Sequence, residues 1–147
     1  MDAQQEKNVA AWIEALESGR YEQGRHVLNS HWDGKKGSFC CLGVACELSK
    51  LGEWTAGGRY KVPEADAMEV YPPSDVVEHF GLQSPSGIFR FSTLPRELQD
   101  EINAGTPSAS TFSDTNADLA SLNDRCVPFR LIAKVLRARP KGLFIGD

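Results

Sequence analysis

No run of apolar residues in this chain approaches the roughly 20 needed to cross a bilayer. The opening stretch MDAQQEKNVAAW lacks the basic-then-apolar order of a secretory signal. These absences lead to the expectation of a cytoplasmic protein with no membrane partner, whose four cysteines stay reduced. The cysteines also lack the C-x₂₋₄-C spacing of structural zinc sites, since Cys40 and Cys41 are adjacent, Cys46 follows at a wider interval and Cys126 stands alone. No metal and no cofactor are therefore expected. Histidine is scarce: His26, His31 and His79 are the three copies available as bases. There is no phosphate-loop pattern, no internal repeat and no linker long enough to divide the chain, so a single domain over residues 1–147 is expected.

What is present fits a folded protein. The 147 residues are 41% hydrophobic and 24% charged, enough apolar material for one core without disulfide staples. The net charge of −4 is unevenly spread. Residues 1–59 are nearly balanced, residues 60–124 carry three basic and eleven acidic groups, and residues 125–147 carry six basic groups and one acidic. The acidic middle argues against coating nucleic acid, while the basic end leaves room for a local anion site.

Val9, Trp12, Ile13 and Leu16 recur at the spacing of an amphipathic helix, and Gly19 is a suitable stop. The following GRYEQGRHVLNSHWDGKKGSF is broken by glycines, with DGKKG reading as a turn. Leu42, Ala45, Leu48 and Leu51 mark a buried helix in CLGVACELSKLG. Gly57–Gly58 can turn a short hairpin, with Trp54, Tyr60, Val62, Met68 and Val70 available as strand residues. PPSDVVEHFGL has the proline-first, glycine-last asymmetry of a helix. QSPSGIFRFST reads as a loop with aromatic anchors. STLPRELQDEINAG reads as a helix capped by Ser92 or Thr93 with Pro95 in its first turn. TPSASTFSDTNAD reads as an exposed polar loop. ADLASLNDRCVPFRLIAKVLRARP holds two helical pieces around a short break. The expected fold is a compact α+β domain, mainly helical with about five helices and a small antiparallel hairpin or sheet.

Three chemistries can be set on this frame. Cys40 or Cys41 at a helix start would make a cysteine-dependent hydrolase or transferase if its thiol pKa were lowered. The plainer reading is packing, with Cys41, Cys46 and Cys126 as small core residues. Arg130, Lys134, Arg137 and Lys141 form one basic stripe, which would suit a DNA-binding regulator. The helix start VPFR, however, offers little for base edges, so specific nucleic-acid binding is not expected. Asn123 and Asp124 either shape the turn between two helices or face a cleft. In the cleft reading, Arg20, Arg25 and Arg125 supply guanidinium groups for a phosphate, Asn123 and Asp124 meet a base or sugar, and Cys41 lies close by. No residue is assigned a catalytic role.

Together WIEALESGRYEQGR, FCCLGVACEL, YPPSDVVEHFGL and LASLNDRCVPFRLIAKVL resemble a family of small proteins encoded by tailed phages and prophages. The family shares a Gly-Arg segment, a CCLGV helix start, a proline-led helix ending in GL, and a final LND…F…IA unit. RCVP stands here where the family pattern has a Gly- or Ser-containing turn. The resemblance implies a setting, the cytoplasm of an infected or lysogenic bacterial host, and a function by binding. It points to an accessory counter-defence factor that sequesters a nucleotide-type small molecule or inhibits a host defence protein, possible also as a homodimer. It carries no catalytic residues over.

Overall fold

The computed structural model describes residues 1–30, 37–105, 112 and 116–147. The DGKKG turn, His31 and Trp32, and most of the TPSASTFSDTNAD stretch lie outside or largely outside these residues. Helix α1 (Ala3–Glu17) is followed by α2 (Cys41–Ser49), the hairpin strands β1 (Glu53–Thr55) and β2 (Arg59–Lys61), and α3 (Ser74–His79). Strand β3 (Ile88–Arg90) runs into a 3₁₀ turn at Phe91–Thr93. Then come α4 (Arg96–Ala104), β4 (Asn116–Asp118), α5 (Leu119–Asp124) and α6 (Phe129–Ala138). The fold is α+β, with two separate antiparallel two-stranded sheets among the described residues, β1–β2 and β3–β4.

The termini of α1 and α2 follow from local chemistry. Asp2 caps α1 in a reciprocal box with Gln5, satisfying two otherwise orphaned backbone N–H groups. Val9, Trp12 and Leu16 then face the core as their spacing predicts. The Trp12 indole N–H reaches the Cys41 carbonyl at 3.0 Å, locking α1 to the start of α2. Cys40 is the N-cap of α2, its Sγ accepting from the Gly43 N–H at 3.3 Å. Gly43 is required because any Cβ there would collide with the Leu28 carbonyl. The helix stops at Lys50 in the left-handed region, before Leu51 and Gly52, and Leu51 is exposed.

Gly57 and Gly58, both at positive φ, turn the first hairpin as expected, pairing Trp54 with Tyr60. Met68 bridges back to Tyr60, whereas Val70 is exposed and joins no strand. The GIFRFS stretch corrects the loop reading. It forms β3, paired with β4 in the register Ile88↔Asp118, Phe89↔Ala117, Arg90↔Asn116. The cap of α4 also differs: Pro95 is the N-cap residue, while Thr93 lies in the 3₁₀ turn with its hydroxyl donating to the Arg90 carbonyl at 2.7 Å.

α1 packs against both α2 and α6, and α6 carries a buried face of Phe129, Ile132, Ala133, Val135 and Leu136. Trp12, Phe80, Phe89, Phe91 and Phe144 are fully buried in the same core. The C-terminal segment after α6 runs back between two others. Gln83 N–H donates to the Leu143 carbonyl at 3.0 Å, and Arg90 N–H to that of Lys141 at 2.9 Å.

Candidate functional site

The break between α5 and α6 is built locally. Asp118 caps α5, its carboxylate accepting from the Ser121 N–H at 2.6 Å. The helix ends at Asp124, and Cys126 takes a positive φ of 67°, a conformation that costs a non-glycine residue energy and must be held by its surroundings. Pro128 starts α6 but has no side chain able to cap it.

That missing cap comes from far away in sequence. Gln23 accepts from the Phe129 N–H at 3.1 Å and donates to the Val127 carbonyl at 2.8 Å and to Asn123 Oδ1 at 3.0 Å. Asn123 is fully buried. Its oxygen also accepts from the Cys41 N–H at 3.1 Å, and its Nδ2 donates to the Gly24 carbonyl at 2.7 Å. Gly24 is held in turn by its N–H to the Phe39 carbonyl at 2.8 Å. One carboxamide thus ties together the Gly-Arg segment, the CC helix start and the LND helix. Fully buried, with both its oxygen and its amide nitrogen bonded to protein, Asn123 acts as a structural tie.

The surface over this tie carries the other groups. Asp124 accepts from the His26 N–H at 2.8 Å, and its second oxygen lies 3.4 Å from the His26 Nδ1. Arg25 Nη1 reaches Cys126 Sγ at 2.8 Å. Arg125 lies over the Phe112 ring at 4.7 Å, and Phe112 stacks on Phe91 at 5.4 Å. Arg20 turns elsewhere, its Nε bonding Ser18 Oγ at 3.2 Å and its guanidinium sitting 5.9 Å from the Tyr21 ring centroid. Of the six candidate residues, Cys41 and Asn123 meet in the interior, and Arg25 and Asp124 lie on the surface above them. Arg125 is engaged with Phe112, and Arg20 joins none of them.

The cysteines divide differently from the expectation. Burial pushes the Cys40 thiol up to about 11 and those of Cys41 and Cys46 well above the usual thiol range. All three are therefore neutral packing groups near pH 7, and the Cys41 thiol donates only a long contact of 3.6 Å to the Leu119 carbonyl. Cys126, read from the sequence as a core residue, is exposed. The signal that could have found it is its position in a break between two helices, next to Arg125 and before a proline.

Cys126 also stands at the mouth of a cavity of about 280 Å³ between the end of α4 and the start of α6. Ile102, Val127, Pro128 and Leu131 make its apolar walls, and Arg130 and Glu101 line its rim. The basic stripe of α6 is largely matched by carboxylates. Glu101 takes Arg130 and Lys134 at 3.4 and 3.2 Å, and Glu17 takes Arg137 at 2.9 Å. Among the described residues no group of three or more His, Cys, Asp or Glu side chains is arranged to hold a metal, and no helix is long and apolar enough to cross a membrane.

The class defined by this fold is a small α+β domain organised around a buried asparagine. A family model, the domain of unknown function DUF8296, matches residues 4–140, and the chain belongs to that family. No curated protein and no solved structure matches it.

Proposed function

We propose that this protein is a phage-encoded counter-defence factor that works by binding, and that it sequesters a nucleotide-type small molecule in the cytoplasm of the host. The observation that carries this reading is the cavity beside the LND turn. Its volume of about 280 Å³ suits a heterocyclic base, its walls are apolar, and Arg25, Arg130 and the Cys126 thiol stand at or near its mouth. A base would be desolvated between Ile102 and Leu131, while the Arg25 guanidinium beside Cys126 meets its phosphate. The resemblance to small phage proteins supplies the setting.

Inhibition of a host protein is the neighbouring reading, but the cavity favours a small ligand. The hydrolase reading would need a thiolate at Cys40 or Cys41, and burial keeps both protonated. The DNA-binding reading would need Arg130, Lys134 and Arg137 to leave the carboxylates they face.

Native mass spectrometry of the purified protein after incubation with lysate from defence-activated bacteria tests the proposal. A small-molecule adduct on the native chain that disappears when Leu131→Trp fills the cavity is the expected result. Bare protein in both cases, or the same set of adducts on the Leu131→Trp variant as on the native chain, overturns it.

A further inference from the structure

A second cleft, sharing no residue with the first, lies where β3 meets the segment after α6. It encloses about 410 Å³ and is lined by Gln83, Ser84, Ile88, Arg90, Asn116 and Lys141, with Phe89 and Gly142 beneath. We propose that this cleft is a binding site for a phosphomonoester of mononucleotide size.

The backbone places two cations side by side. Arg90 N–H donates to the Lys141 carbonyl at 2.9 Å, so the turn carrying Lys141 lies directly beside β3. On the other side of β3, Arg90 is paired with Asn116. Directly opposed residues in an antiparallel pair project to the same face about 5 Å apart, which brings guanidinium and carboxamide together.

These cations differ from the others nearby. Arg130, Lys134, Arg137 and Arg139 all have carboxylates within 4.0 Å. Among the described residues, Arg90 and Lys141 have none. The carboxylate within β4, Asp118 across from Ile88, is engaged in capping α5 through Ser121. An anion entering the cleft therefore displaces no carboxylate among the described residues. Arg90 offers a planar fork for two phosphate oxygens and Lys141 a point charge.

Neutral groups complete the site. Ser84 Oγ accepts from the Ile88 N–H at 2.8 Å, which leaves its hydroxyl hydrogen free to donate outward. Gln83 uses one amide hydrogen on the Phe144 carbonyl at 2.9 Å and retains its carbonyl oxygen. Ile88 lies two residues before Arg90, so both side chains stand on one face about 7 Å apart along the strand. Ile88 is 42% exposed, an apolar shelf at the distance from the cations that a sugar and base would occupy. A phosphate alone would leave that shelf wet; a nucleoside monophosphate covers it.

Isothermal titration of the full chain with AMP, adenosine and inorganic phosphate tests the site, alongside the double variant Arg90→Gln/Lys141→Gln. Both replaced side chains are on the surface, and circular dichroism checks that the fold is retained. AMP is expected to bind, adenosine to bind at least tenfold more weakly, phosphate to compete with AMP, and the double variant to lose at least tenfold in AMP affinity. The Leu131→Trp variant, which fills the other cavity, is expected to bind AMP as the native chain does. Equal binding of AMP and adenosine overturns the proposal. So does undiminished AMP binding in the double variant, loss of it in Leu131→Trp, or no AMP binding at millimolar concentration.

Discussion

The side-chain oxygen of Asn123 accepts the backbone N–H of Cys41 at 3.1 Å, joining two helix ends separated by 82 positions in the chain. The same carboxamide holds Gln23 and the Gly24 carbonyl. Asn123→Ala leaves a buried donor and a buried acceptor without partners, each costing about 1–3 kcal/mol. The expected loss is about 3 kcal/mol in urea denaturation. Asn123→Asp is expected to be at least as damaging, because it replaces the donor to Gly24 with a buried charge. A loss under about 1 kcal/mol for Asn123→Ala would show that the tie contributes little.

Gly43 and Gly105 should respond oppositely to alanine. A Cβ on Gly43 meets the Leu28 backbone, which cannot swing aside, so Gly43→Ala is expected to destabilise by about 3 kcal/mol or to prevent folding. At Gly105 φ is −90° and, among the described residues, the nearest atom to a new Cβ is 4.0 Å away. Gly105→Ala should therefore raise stability by up to about 1 kcal/mol through the unfolded chain. Thermal melts of the two variants give opposite shifts.

The thiols make stability depend on alkaline pH. The Cys40 thiol ionises near 9.0 in a free chain but only near about 11 in the folded one. Above the unfolded value the native state holds more protons than the unfolded state, so stability falls as pH rises from about 9 to about 11. For Cys40 alone this amounts to about 3 kcal/mol at the upper end, and Cys41 and Cys46 act in the same direction. Cys40→Ser keeps a capping oxygen and removes the titration. Denaturation curves from pH 8 to 11 should be flatter for this variant; superimposable slopes would refute the assignment.

Iodoacetamide should separate the cysteines by exposure. Cys126 is expected to react promptly in the native protein, while Cys40, Cys41 and Cys46 react only on the timescale of local opening. Peptide mapping after a short pulse reads this directly. Early modification of Cys40 or Cys41 would reopen the enzyme reading.

Releasing the basic stripe should create non-specific DNA binding. Glu17→Gln with Glu101→Gln removes the carboxylates facing Arg130, Lys134 and Arg137. A gel shift of duplex DNA is expected to be stronger for this double variant than for the native chain at 50 mM salt and to fade by 200 mM, as counterion release requires. An equal shift by both proteins would mean that the pairs do not restrain the stripe.

The helices were legible because their apolar spacing and their caps are local. Val9, Trp12 and Leu16 announce α1, and Phe129, Ile132 and Leu136 announce α6. The hairpin was legible from Gly57–Gly58. The second sheet was not. β3 and β4 have three residues each, too few for an alternating pattern, and they pair across a long interval of sequence. The site was half legible. The LND segment was singled out, but whether Asn123 faces inward or outward depends on Gln23 and Cys41, whose proximity only the fold decides. Cys126 and the Arg90–Lys141 pair were missed for the same reason, since neither makes a motif along the chain.

The seam between α1 and α6, with Glu17 on Arg137 and Glu6 on Arg139, also sets an order of events during synthesis. α1 leaves the ribosome before α2 and α6, and Trp12 can find the start of α2 early. The helix that completes its cover, α6, is made more than a hundred residues later. At about 5–20 residues per second, that delay is on the order of 10 s. For that interval the nascent chain holds an apolar surface open to chaperones, and a chain stopped before Phe129 never closes it.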